Sequence, residues 1–195
     1  MKKLIAITGN DGTGKSTLIA HLLNSHPEMR EVSIWDPMSA GLFESKSEID
    51  NYLCQLTPNA RVQFLSHALT QAFESAMQSD SEVLLLNGYF YKYFASELAF
   101  GADLDLVQAL IRSYKTPNLV IKLEAEISTT AKRKKYYSQY ECGCQEPISE
   151  HFVSFQKRVL PLWDTFDSKD WAIISAELEP AVIWEHAEYL IQTRL

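Results

Sequence analysis

No stretch of this chain is long and apolar enough to read as a membrane span. The opening Met1-Lys2-Lys3 precedes only about five apolar positions before Gly9, too few for a signal-peptide core. A cytoplasmic protein with no membrane partner is the expectation. Cysteine is scarce: three in 195 residues, an odd number that argues against a disulfide framework. The sequence therefore predicts reduced thiols, with Cys54 a small apolar filler. Positive charge is in deficit, 18 Lys and Arg against 25 Asp and Glu, for a net charge of −7. That balance disfavours broad attachment to a phosphate backbone, so no nucleic-acid partner is expected. No repeat, linker or low-complexity run divides the chain, and one domain over residues 1–195 is the expectation.

What is present is an alternation of short apolar runs with amphipathic segments. Residues 3–8 (KLIAIT) end in a glycine-rich turn, as a buried central strand of a parallel sheet does, and residues 15–23 read as a helix. Residues 31–35 predict a second strand closed by Asp36-Pro37. Val62, Leu65, Leu69, Phe73 and Met77 recur at helical spacing over 58–78, with Pro58 in the first turn. Strands over 82–86, 118–123 and 171–174 alternate with helices over 103–114, 128–137 and 180–191. Residues 151–166 carry a helical stripe that Pro161 should kink, and the aperiodic stretch 138–147 reads as a loop or flap. This order predicts an α/β fold, a five-stranded parallel sheet with helices on both faces in three αβα layers, with a flexible lid at about 134–147.

The chemistry is concentrated in Gly9-Asn10-Asp11-Gly12-Thr13-Gly14-Lys15-Ser16-Thr17, which fits G-x-x-x-x-G-K-[ST] between a buried strand and a helix start, the P-loop pattern. Its glycines let the backbone N–H groups turn inward, and the helix start adds its positive dipole end. Lys15 is expected at the outer phosphates of ATP, and the Ser16 hydroxyl at magnesium. Cys142, Cys144 and His151 lack the ligand count and spacing of a structural zinc centre. The run Tyr89, Phe90, Tyr91, Tyr93 and Phe94 reads either as a stacking surface for a base or as core packing.

With the P-loop placed, the chain resembles the thymidylate kinases nearly end to end. Its D-G-T-G-K-S-T is similar to that family's D-G-x-G-K-[ST]-T, residues 118–124 resemble P-D-L-[VI]-[IV]-x-L-D, and FQKRVLPLW at 155–163 resembles F-x-x-R-V-x-x-x-Y. The resemblance implies a P-loop NTPase fold and transfer of a phosphoryl group from ATP, with magnesium, to a nucleoside monophosphate, thymidine monophosphate by default. It places Asp11 at the acceptor sugar and Arg133 over the donor adenine, so that Lys15, Asp11 and Arg133 form the expected catalytic set. By analogy it also implies a possible homodimer through the helix after Pro58.

The departures lie on the acceptor side. Where the family carries Asp-Arg-Tyr after its third strand, this chain has Asn87-Gly88-Tyr89, and glycine cannot grip a phosphate. The thymine-contacting positions on the long helix hold Leu65 and Leu69, with Phe64 adjacent. The lid arginine is missing near Gln145-Glu146, and the P-loop position that some members fill with arginine is Gly12. Lys92 and the cluster Lys132-Arg133-Lys134-Lys135 are the candidate replacements, each read either as a cation at the phosphates or as a solvated surface charge. Phe64, Leu65, Tyr89 and Lys92 stand with Asp11 as acceptor-contact candidates. Three readings stay open: a monophosphate kinase, a kinase for an unphosphorylated acceptor such as a deoxynucleoside, and an ATP-binding protein without transfer activity.

Overall fold

The computed structural model describes residues 2–35, 43 and 45–195. Its centre is β1 (Lys3–Gly9), buried at every position after the first, as a strand covered on both faces must be. It is flanked in parallel by β3 (Val83–Asn87), with Ile5 opposite Leu85, and by β4 (Leu119–Glu124), with Ile7 opposite Ile121. The edges are β2 (Met29–Val32) and β5 (Ala172–Ser175), giving the all-parallel order β2-β3-β1-β4-β5.

Alternate side chains of these strands supply two separate cores. Ile5, Ile7, Leu85, Ile121 and Leu123 pack on one side against α1 (Lys15–Ser25) and α8 (Pro180–Arg194) through Leu18, Leu22, Ile183 and Ala187. Leu4, Ala6, Leu84, Leu86 and Val120 pack on the other, against α3 (Pro58–Met77) and α4 (Tyr89–Phe100) through Leu65, Leu69 and Phe94. The result is the expected α/β sheet between helical layers. Around it lie α2 (Lys46–Gln55), α5 (Leu104–Ile111), α6 (Ile127–Arg133) and α7 (Ser149–Val159). Among the described residues no helix is long and apolar enough to cross a membrane.

Several local expectations shift. The second strand covers Met29–Val32 rather than 31–35, because its ladder to β3 runs from Met29 opposite Val83 to Val32 opposite Leu86. Asp36-Pro37 lies outside the described residues. The helix expected over 128–137 ends at Arg133, and Pro161 converts the end of α7 into a 3-10 turn, Leu160–Thr165, rather than kinking one long helix. The segment 134–147 is not structureless: it contains a 3-10 turn, Tyr140–Cys142.

The expectation of three reduced thiols is overturned. Cys54 on α2 and Cys144 are joined in a disulfide with Cα atoms 5.3 Å apart, and only Cys142 remains a free, buried thiol. Cys54 is thus a cross-link rather than a filler. The partners are 90 residues apart, and the pairing arises only from the folded path of the chain.

Candidate active site

The loop from Gly9 to Gly14 lies at the carboxyl end of β1, where the chain leaves the middle of the sheet, the usual ligand crevice of an open parallel sheet. Its turn requires positive φ at Gly9, Gly12 and Gly14. Gly9 is constrained further, since a Cβ there would lie 2.3 Å from the carbonyl oxygen of Leu123. The helix that follows starts without a side-chain cap and with no acidic residue in its first turn. By contrast, α2 and α5 are capped by Ser45 and Asp103, whose side chains accept from the N–H groups of Glu48 and Leu106. The bare N-terminus of α1 leaves its first N–H groups for an anion, the form a triphosphate site takes.

Lys15, only 8% exposed, donates to the carbonyls of Gly9 (3.0 Å) and Asn10 (2.6 Å), folded over its own loop. Burial pulls its ammonium down to about 8, partly offset by the Asp11 carboxylate. Asn10 is fixed from behind by Trp163, whose Nε1 donates to its Oδ1 at 2.8 Å. Thr13 Oγ1 donates to the Asn10 carbonyl at 2.9 Å, so the loop is braced without any ligand contact.

In front of the loop lies a cavity of about 320 Å³ lined by Asp11, Lys15, Ser16, Trp35, Asp50, Asn87, Lys92, Tyr93, Lys134, Tyr140 and Glu141 among others. Lys92 reaches in from the first turn of α4 and pairs with Asp11, Nζ to Oδ1 at 2.7 Å. Burial alone would raise the Asp11 carboxyl, but Lys92 and Lys15 outweigh it and hold it at about 2. Burial likewise works against the Lys92 cation, yet Asp11 carries its pKa above the ordinary lysine value. Opposite, Lys134 pairs with Glu141 at 2.9 Å, and Lys134 Cγ lies 3.4 Å from where a Cβ on Gly12 would sit.

A second cavity, about 420 Å³, opens on the other side of the loop between Gly12, Thr13, Arg133, Leu178 and Trp184. Arg133 donates to the Ala176 carbonyl at 2.6 Å, which holds its guanidinium along one wall. A larger cavity, about 680 Å³, lies between the β4–β5 edge and α7 and touches only Asn10 and Thr13 of the loop. The two smaller spaces bring Lys15, Lys92, Lys134 and Arg133 against the loop.

Comparison with known proteins agrees with this geometry. No protein-family model matches the chain. Over 142 residues it is 28% identical to a probable thymidylate kinase 1 of Saccharolobus solfataricus, spanning 69% of this chain and 71% of that protein. Its fold superposes on a Candida albicans thymidylate kinase with a TM-score of 0.69 at 17% identity, covering 98% of this chain and 92% of that one. A deoxyadenosine kinase from M. mycoides, solved with dATP, gives a TM-score of 0.67 at 16% identity over 98% and 100% of the two chains. The chain is similar in sequence to a thymidylate kinase and shares the fold of these two kinases. The sequence likeness supports an enzyme of the nucleotide kinase kind.

Within this P-loop kinase fold the expected residues divide. Asp11, Lys15, Ser16 and Lys92 share one cavity, and Arg133 lines the neighbouring one with Gly12, Thr13 and Gly14. Leu65 and Tyr89 do not reach either: they are 1% and 0% exposed, inside the core, with Tyr89 Oη donating to the Lys115 carbonyl. Phe64 packs its ring on Tyr52 and Phe43 rather than toward the loop. Burial corrects the expectation for Leu65 and Tyr89, while the half-buried Phe64 is taken up by its ring contacts. Of the basic cluster, Lys134 enters the phosphate cavity while Lys132 and Lys135 are exposed. Sequence reading missed Trp35, Asp50, Tyr140 and Glu141, which come from segments that carry no motif.

Proposed function

We propose that the chain is an ATP- and magnesium-dependent phosphotransferase whose acceptor is a nucleoside-class alcohol bearing no phosphate of its own. The observation that carries this is the Lys92–Asp11 ion pair beside Gly88. The cation that stands near the missing arginine is already committed to a carboxylate.

The charge inventory supports the same reading. Lys15, Lys92 and Lys134 face Asp11, Asp50 and Glu141 across one cavity, so the charges of its described lining are balanced before any ligand enters. A phosphate monoester brings about −1.5 to −2 charges at neutral pH, and here it would enter beside a triphosphate with no arginine to receive it. A neutral alcohol adds none.

The residues present fit ATP and magnesium. The uncapped start of α1 and Lys15 suit the phosphates, Arg133 and Trp184 suit a base, and Ser16 offers a hydroxyl to the metal. Magnesium supplies charge neutralisation between phosphate oxygens. Lys15 swings from the loop carbonyls onto the transferring phosphoryl group, and Asp11, held through Oδ1 by Lys92, offers Oδ2 to orient the acceptor hydroxyl.

The experiment is ATP consumption against parallel panels of nucleosides and nucleoside monophosphates. Stimulation by nucleosides alone is expected. Stimulation by monophosphates alone overturns the acceptor assignment and returns the second reading, a thymidylate-type monophosphate kinase. That reading is favoured by the 28% identical relative and requires Lys92 to exchange Asp11 for the acceptor's phosphate. Silence from both panels, with ATP still bound, leaves nucleotide binding without transfer.

A further inference from the structure

Among the long-range ties that hold the segment 134–147, the expected lid, which include Gln156 Nε2 donating to the Glu141 carbonyl and Tyr140 packed on Phe100, two bond it directly to the helices beside the phosphate cavity. Tyr140 Oη donates to Glu97 Oε1 at 2.7 Å, and Glu97 is the fully buried partner of Arg61. The other tie is the disulfide between Cys144 and Cys54. Neither cysteine lines the cavity, but each lies close in sequence to residues that do. Cys54 follows Asp50 by one turn of α2, Cys144 follows Glu141 closely in the chain, and Asp50, Tyr140 and Glu141 all line the cavity.

The three sulfurs differ in reach. Cys54 and Cys144 are half-buried residues. Cys142 is fully buried with its Sγ 3.7 Å from the Ile148 carbonyl, and burial pushes its thiol up to about 11, which leaves it inert. Thiol chemistry on this chain is therefore confined to the bonded pair.

We propose that Cys54–Cys144 is a thiol-exchange site that sets the lid over the acceptor cavity, tying it to α2 when oxidised and releasing it when a dithiol reduces the bond. The exchange balances without any group from the protein's active site. One thiolate of the dithiol attacks a protein sulfur, the S–S bond breaks and the departing sulfur takes a proton. The second thiol of the reagent then displaces the other protein sulfur, leaving two protein thiols and one reagent disulfide. After reduction the Tyr140–Glu97 bond still holds, so the lid loosens at its Cys144 end while staying docked near Glu141. The inference rests on the proposed function only for what the lid covers.

The test uses the full chain, oxidised with glutathione disulfide or reduced with dithiothreitol, and is read first without any acceptor. Thiol titration in denaturant should find one free thiol in the oxidised protein and three after reduction. A broad-specificity endopeptidase should cut between the exposed Gln145 and Glu146, next to Cys144, about tenfold faster in the reduced protein, and Cys54→Ser should match the reduced protein with no reductant added. Cys142→Ser should keep the full difference between the two states. Three thiols after oxidation, or equal cleavage rates in both states, overturns the proposal. These readouts need no turnover, so they stand or fall separately from the kinase assay. Where an acceptor is active, its KM should change on reduction by about tenfold while the Kd for ATP stays within about twofold.

Discussion

The two sides of the phosphate loop are built by different means. The proposed donor side is largely backbone: the loop from Gly9 to Gly14 with three positive-φ glycines, an uncapped helix start, and Arg133 pinned to a carbonyl. The proposed acceptor side is side chains, drawn from the loop, β3, α2, α4 and the lid, and balanced in ion pairs beside one disulfide. A site made of backbone tolerates sequence change everywhere except at its few glycines. A site made of converging side chains can be retuned by exchanging one residue, as Gly88 and Lys92 illustrate.

The largest effect should come from the donor side. Lys15→Ala removes the cation proposed to meet the transferring phosphoryl group, and turnover should fall on the order of 10³-fold or more. Stability should change little or rise, since a buried ammonium is lost. A fall in turnover below tenfold would mean that the acceptor-side lysines carry the transfer and would dissolve the contrast. Next comes Arg61→Leu, which strands Glu97, 0% exposed, with only Tyr140 as donor. Unfolding free energy should drop by about 3 kcal/mol in a urea titration at neutral pH. Burial already lifts the Glu97 carboxyl to about 7, above its unfolded value, so the folded state holds a proton that the unfolded chain has released. Losing Arg61 raises that carboxyl further, and the deficit should be larger at pH 8 than at pH 6.

The same division explains what the sequence discloses. The P-loop is legible because every atom it offers belongs to consecutive residues after one buried strand. The sheet is legible for a similar reason: β1, β3 and β4 are continuous apolar runs, and their centres fall where expected. The helix α2 escaped because its buried apolar face is narrow, Ile49 and Leu53 within a mostly polar segment. Tyr89 and Leu65 were misread because alignment to a binding position says nothing about which way a helix turns its faces. The Cys54–Cys144 bond spans 90 residues, and an odd cysteine count pointed away from it. Lys92 was legible as a candidate, but its commitment to Asp11 depends on a 2.7 Å approach that no spacing encodes.

Lys92→Met sharpens the contrast from the acceptor side. Asp11 loses its partner and its fixed orientation, and kcat/KM for a nucleoside should fall about 10–100-fold, the worth of one charge-assisted bond. The affinity for ATP should move by less than about threefold, because Lys15 stays in place. A monophosphate substrate that suffers more than a nucleoside would instead show Lys92 gripping phosphate.

The smallest effect is a pH dependence that separates the two lysines without any substitution. Lys15 in the free protein sits at about 8, drawn down by burial, whereas the pKa of Lys92 is raised by Asp11. Phosphates bind the charged form of Lys15, so binding is unpenalised well below pH 8. Above pH 8 the free protein must take up a proton to bind, and the apparent Kd for magnesium-ATP should rise about tenfold per pH unit. Calorimetric titrations from pH 7 to about 9.5 would record that slope, with proton uptake visible as a buffer-dependent enthalpy. The acceptor KM should stay flat across the same range, since Asp11 and Lys92 keep their charges throughout. If the KM climbs in step with the ATP Kd, Lys15 serves both substrates and the boundary between the two sides lies beyond the P-loop lysine.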